Sequence, residues 1–482
     1  MPYGMLVTYY LLPGFGCGQV SQVALLFVSS LIFYAYNNPV IVFLLLSSIS
    51  INCIASRAIV LSSGRYSAKL RWVWSAVLIN LLLLMFFKYA ALLAELIIPD
   101  GYMVQIKRDL DSIPLPVGIS FFTFQAITLI VDLKRKGVGG VESLEGCFKR
   151  GETWQGFLNI ALYINFFPQL VAGPIVKAHN FIYQIKLKRY SEIKWDVVIK
   201  NLITGYFLKM VIADNLKDVT CLLNSGFIGQ VGRLDLVFLL YGYSFQIFAD
   251  FAGYSLIAIG LSALFGYTIP INFNFPYISS SVTEFWKRWH ISLSSFLRDY
   301  LYIPLGGNRR GSFRTYINLF IVMFLGGLWH GAAWRYAIWG MSHGVILAIE
   351  RIYASYGNAK IMNSQKPNLV HIIKILITFH IVSLLWLLFL MPDFSSVCQY
   401  FAIFFKTPVW LTSFQTIFIV VVYSLPVILY HLIAFNLEFR NARSTALVWR
   451  LRYTLQPIFL SIMLFLIILN SGTTGEFIYF QF

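Results

Sequence analysis

Long apolar runs constrain this chain more than any other feature. They fall near 5–36, 38–56, 72–98, 114–133, 156–175, 198–213, 234–266, 315–350, 371–391, 413–434 and 455–470. A soluble core needs no run of 20 or more apolar residues, whereas a bilayer about 30 Å thick does. No strand-like alternation accompanies the runs, so helices are the way for the backbone to satisfy itself in lipid. Composition agrees: of 482 residues 58% are hydrophobic and only 12% charged, too little polar surface for a soluble domain. The expected fold is an all-α polytopic membrane protein. Allowing for long runs that hold two helices, it has about 11 transmembrane helices plus re-entrant or broken pieces. No soluble domain and no internal repeat is evident, so residues 1–482 read as one membrane domain.

The charge balance is +17, from 37 basic and 20 acidic residues. In such a chain the excess is first a topology signal, and nucleic acid is not an expected partner. The loop 57–71 carries Arg57, Arg65, Lys69 and Arg71 without an acid, which places it in the cytoplasm. The connection 99–113 balances Lys107 and Arg108 against Asp100, Asp109 and Asp111 and suits the outside. Lys134, Arg135, Lys136, Lys149 and Arg150 return the chain to the cytoplasm. The loop after 156–175 is basic as well, so that segment cannot be one simple span. It contains Pro168 and the Gly173-Pro174 step, which break helices. A re-entrant segment buried in protein or lining a cavity resolves the conflict. Counting forward, the C-terminal FIYFQF ends on the outer side.

Five scattered cysteines (Cys17, Cys53, Cys147, Cys221 and Cys398) lack ligand spacing. They read as isolated buried thiols, with no disulfide framework and no metal site. The first apolar segment reads as a retained anchor and not as a cleaved signal.

Two Trp-His steps stand in unlike settings. Trp289-His290 lies in the basic, aromatic stretch FWKRWHISLSSFLRDYLYIPLGGNRRG, and Trp329-His330 in the apolar INLFIVMFLGGLWHGAAW. A titratable imidazole in a segment made for lipid needs a partner or a task. His330 follows Arg314 by 16 residues, roughly 24 Å along a helix, and so lies at depth. Gly326, Gly327 and Gly331 beside it let backbones approach closely or let a substrate reach the ring. His290 begins nearer the cytosol, where an interfacial belt of Trp, Lys and Arg is the plainer reading. The 40 residues between the histidines leave room to bring the rings together.

Other candidates are less distinctive. Gly306-Gly307-Asn308-Arg309-Arg310-Gly311 could wrap an anion through backbone N–H groups and arginines, or could be a tight basic turn. Asp250, an acid among apolar neighbours, is expected to orient a histidine or to pair with an arginine, the ion pair being the plainer role. His343 reads as a packing residue on its helix, and His179, His371, His380 and His431 as structural. No Walker A, GxSxG or HExxH pattern supports other chemistry.

Taken together, the segments FFPQLVAGPIVKA (166–178), QIFADFAGYSLIAIGLSALFG, EFWKRWHISLSSFLRDYLYIPLGGNRRG and FLGGLWHGAAWRYAIWGMSHG resemble the membrane-bound O-acyltransferase family. The resemblance is to its bacterial branch of alginate O-acetylation and D-alanyl-teichoic-acid transfer, and most to the alginate type. It runs from about residue 72 to the C-terminus, with 114–350 as the motif-bearing core and 1–71 matching least. The resemblance implies helices around a central funnel or tunnel and an enzyme of the bacterial inner membrane. It implies His330 as the characteristic histidine and His290 as the second site. Trp329, Asp250, Arg309 and Arg310 are then candidate donor-binding residues. The donor would be acetyl-CoA or an acyl-carrier phosphopantetheine thioester, with no bound cofactor. The acceptor would be an exported or cell-wall polysaccharide, reached through an extracytoplasmic esterase-like partner protein. Peptidoglycan O-acetylation and teichoic-acid D-alanylation are the runner-up reactions. A non-catalytic transporter or channel is the competing class.

Overall fold

The computed structural model describes residues 2–15, 18–36, 38–62, 64–97, 110, 113, 115–135, 139–170, 173–224, 228–356, 368–407, 413–438 and 445–472. Nearly all of the connection 99–113, Lys136 and the C-terminal FIYFQF lie outside them, and so do the topology readings that rest on those residues. Every regular element among the described residues is helical. Six helices among these residues are long and apolar enough to cross a membrane: Ile41–Leu61, Tyr66–Ile97, Arg233–Leu264, Gly311–His330, Leu369–Leu390 and Phe414–Glu438. Their outer faces carry bare apolar side chains such as Phe418, Ile433 and Leu376, the surface that lipid covers. The protein is a multi-pass membrane protein.

The chain divides into two compact units. Residues 1–199 with 257–270 form the first, and 200–256 with 271–482 the second. The 234–266 run is one helix, Arg233–Leu264, of 32 residues, about 48 Å long. The 315–350 run is two helices, Gly311–His330 and Trp334–Tyr356.

In the first unit, apolar residues from Leu26 through Ile164 to Tyr267 share one core. Buried amides lock its helices: Asn52 and Asn80 exchange hydrogen bonds of 3.1 and 2.9 Å. The 156–175 run breaks where the prolines stand. The Thr153–Asn165 helix is 13 residues, about 20 Å, well short of a membrane span. Beyond it Phe166, Pro168, Gln169, Pro174, Ile175 and Val176 are buried in protein. Asp132, fully buried, holds the far side of this segment: its Oδ2 lies 2.8 Å from His179 Nδ1 and accepts the His179 backbone N–H at 3.4 Å.

In the second unit, the Gly311–His330 and Trp334–Tyr356 helices form the tightest pair. A Cβ on Gly327 would fall 2.2 Å from the Tyr336 carbonyl oxygen, and one on Gly340 2.1 Å from that of Met323. Only glycine permits this approach, which is how helices associate closely in lipid. Glu350, on the second helix, accepts the backbone N–H groups of Val282 (2.6 Å) and Thr283 (2.8 Å), capping the Val282–Arg288 helix.

The cysteine reading needs correction. Cys53 and Cys147 are buried, but Cys221 and Cys398 are exposed. Cys221 opens a short 3-10 turn at a helix end, where its Sγ reaches the Asp218 carbonyl instead of a core. Cys17 lies outside the described residues.

Candidate active site

His290 sits between two short helices, Val282–Arg288 and Ile291–Leu297, in a left-handed conformation with φ 41° and ψ 54°. Such a backbone is uncommon for a residue with a Cβ and stores strain that its surroundings must hold. Asn272 supplies much of that hold. Its carbonyl accepts the Ile291 N–H at 2.9 Å, and its Oδ1 accepts from Ser292 Oγ at 2.6 Å. Its Nδ2 donates to Ser255 Oγ at 2.9 Å, tying the turn to the long Arg233–Leu264 helix. The imidazole is fully buried, its centroid 4.6 Å from the Phe251 ring in a T-shaped arrangement. Burial pushes its pKa down to about 3, so the ring is neutral near pH 7.

His330 is the last residue of the Gly311–His330 helix, where the chain turns into extended Gly331. Trp339 meets its ring edge-on at 5.2 Å, Phe389 at 5.3 Å and Trp329 at 5.0 Å. The His290 and His330 centroids are 6.3 Å apart, and Trp329 lies 5.7 Å from His290. The two Trp-His steps therefore converge on one buried, aromatic-walled place.

This corrects one expectation. His290 and Trp289 are not an interfacial belt, because both are buried. The turn at Asn272 brings His290 beside His330, across the 40 residues that separate them in the chain.

Asp250 is held in an ion pair, the plainer of its expected roles, with a lysine as partner. Lys209 Nζ lies 2.8 Å from Asp250 and 2.7 Å from Asp214. Lys209 stands in a π-helical stretch, Phe207–Ala213, which widens the helix at that point. Asp250 thus braces the helix that also carries Phe251. Arg309 and Arg310 lie exposed in a turn where Gly306 and Gly307 adopt φ of 110° and 54°. The neighbouring Arg288 is already engaged by Glu284 and Glu438, each at 2.8 Å, and Arg298 by Asp299 at 2.7 Å.

The sequence reading missed Lys209, Asn272, Trp339 and Phe389. One signal was available: Trp339 and His343 are four apart and share a helix face. Their rings are 4.9 Å apart, and His343 Nδ1 accepts from Trp286 Nε1 at 3.3 Å. His343 therefore packs as expected, but in the layer directly behind His330. Asn272 and Lys209 carry no spacing that would single them out.

Residues 149–391, half of the chain, match the MBOAT, membrane-bound O-acyltransferase family, and the chain belongs to that family as an O-acyltransferase. Among its relatives, the probable alginate O-acetylase AlgI of Pseudomonas putida is 32% identical, over 96% of this chain and 95% of that one. The probable alginate O-acetylase AlgI of Pseudomonas aeruginosa is 35% identical, over 82% and 72%. The peptidoglycan O-acetyltransferase of Helicobacter pylori is 33% identical, over 83% and 76%.

Proposed function

We propose that the protein moves an acetyl group from a cytosolic thioester toward hydroxyls of an exported polysaccharide of the alginate kind. The donor is acetyl-CoA or an acyl-carrier phosphopantetheine thioester. The observation that carries this reading is the pair of buried imidazoles 6.3 Å apart inside an aromatic wall, in a chain similar to alginate O-acetylases over nearly its full length.

A thioester is already activated, so the enzyme must chiefly hold the reactants together and remove a proton. His330 takes the proton of the attacking hydroxyl. The hydroxyl oxygen bonds to the acyl carbon, the carbon–sulfur bond breaks, and the thiolate takes up a proton as it leaves. His290, neutral at working pH, donates a hydrogen bond to the acyl carbonyl or assists proton transfer. Trp329 and its neighbours exclude water, which protects the thioester from hydrolysis. Arg309 and Arg310 draw in the donor phosphates from the cytosol. Asp250 acts at one remove, through its ion pair with Lys209.

The remaining features of the proposal are topological. The chain crosses the bacterial inner membrane about eleven times around a funnel, with the basic loops in the cytoplasm. A separate extracytoplasmic, esterase-like protein completes transfer to the polymer. Peptidoglycan is the second acceptor reading, favoured by the similarity to the Helicobacter pylori enzyme. Teichoic-acid D-alanylation is a further outcome of the acceptor test. That test compares base-labile esters on each cell polymer with and without the gene. Loss of acetyl from the exported polysaccharide is expected, whereas loss confined to peptidoglycan or of D-alanine from teichoic acid would reassign the acceptor. Replacing His330 with Ala should abolish the ester while the protein stays folded and inserted; normal ester levels would sink the proton-transfer role.

A further inference from the structure

The Leu369–Leu390 helix ends beside His330, and the last carbonyls of any helix have no partner within it. Leaving such carbonyls bare in an apolar interior is costly. Here the Met391 N–H returns to the Leu387 carbonyl at 2.9 Å, and Arg335 serves three of the carbonyls beyond it. Its Nη1 donates to the carbonyls of Phe389 (3.3 Å), Leu390 (3.4 Å) and Met391. Its Nη2 donates to the Tyr336 hydroxyl at 2.8 Å, and the guanidinium lies 4.5 Å over the Tyr336 ring. The negative end of a helix dipole favours a cation there, and a planar fork of donors suits several carbonyls at once.

The groups tied in this way are the wall of His330. Phe389 stands 5.3 Å from the imidazole, with Tyr336 5.1 Å and Trp386 5.4 Å from Phe389. Tyr336 also fills the space over Gly331, where a Cβ would fall 2.2 Å from Tyr336 Cε2. Arg335 follows His330 by only five residues, so one side chain fastens the turn after His330 to the end of a helix distant in sequence.

We infer that Arg335 is a positioning residue for acyl transfer: it clamps the end of the Leu369–Leu390 helix to the turn after His330, and so fixes the imidazole through Phe389 and Tyr336. The inference rests on the reading of His330 as the general base. A misplacement of about 1 Å at a reacting group can lower a rate by about 10²-fold, so the clamp bears on turnover as well as on folding.

The test uses the full chain in cells that depend on it for polymer acetylation. The rate at which base-labile acetyl appears after induction is divided by the amount of monodisperse protein extracted in detergent. Arg335→Met should lower this rate about 10- to 100-fold per folded molecule. Arg335→Lys, which keeps the charge at the helix end but not the planar fork, should regain part of the loss. Phe389→Leu should slow transfer as well, and the double variant Arg335→Met/Phe389→Leu should be no slower than the slower single, because both act through one contact. An unchanged rate in Arg335→Met, no rescue by Arg335→Lys, or multiplying effects in the double variant would each overturn the proposal. If Arg335→Met is not recovered folded, Tyr336→Phe decides, since it keeps the ring and removes the hydroxyl that Nη2 reaches. An unchanged rate there overturns the clamp. Normal transfer by His330→Ala would instead sink the general-base reading, so the two failures are distinguishable.

Discussion

His179 in the first unit and His330 in the second each follow a run of apolar chain, yet they stand in unlike surroundings. His179 is 30% exposed and lies 2.8 Å from the fully buried Asp132 carboxylate, which also accepts its backbone N–H. That arrangement pins the stretch after Pro174 to the Ile119–Lys134 helix by directional bonds. His330 is walled by the rings of Trp329, Trp339 and Phe389, with His290 as the nearest imidazole. These rings leave it almost wholly buried. A histidine bonded to a buried carboxylate serves as an anchor, while one packed among rings beside a second imidazole is, on the proposed reading, the group that takes the hydroxyl proton.

That comparison can be broken in several ways. The largest expected effect is on transfer: His330→Ala should cost about 10²–10⁴ in acetylation rate per folded molecule, measured as polymer ester. A loss smaller than tenfold would place the base elsewhere. Next comes the anchor. Asp132→Asn should lower stability by about 1–3 kcal/mol, seen as earlier loss of monodisperse protein on heating, with the rate per folded molecule unchanged. A drop in rate without a drop in stability would make the two histidine settings equivalent after all.

The third prediction concerns acid. His290 has a pKa near 3 when folded, below the ordinary imidazole value, so the unfolded chain binds its proton first. Its contribution to stability is complete above about pH 6.5 and is lost as pH falls toward 3. His290→Asn should therefore flatten the stability profile in that window, and an unchanged profile would mean that His290 takes no part in it. The smallest effect belongs to the surface. Arg309→Ala/Arg310→Ala should raise the donor concentration needed for half-maximal transfer by a few-fold, more strongly at low salt than at high. Transfer that ignores both charge and salt would remove these arginines from the donor route.

Much of this was legible in the residues. Apolar run length fixed the helical membrane class, and Pro168 with Gly173-Pro174 marked the break after Asn165. The two Trp-His steps named the two imidazoles. What brings the two rings together was hidden, because spacing along the chain says nothing about a turn pinned by Asn272. The partner of Asp250 was also hidden, since Lys209 lies 41 residues away in an unremarkable run.

The division has a physical cause. The sequence by itself determined what depends on local chemistry: which segments suit lipid, where helices break, and which titratable groups stand in apolar company. Hydrophobicity and backbone propensity are properties of neighbours in the chain. Only the tertiary structure decided which rings surround His330, which lysine answers Asp250, and that Arg335 closes the end of a helix over fifty residues further on. Those outcomes depend on side-chain packing and on burial of polar groups, which are settled only when distant segments meet.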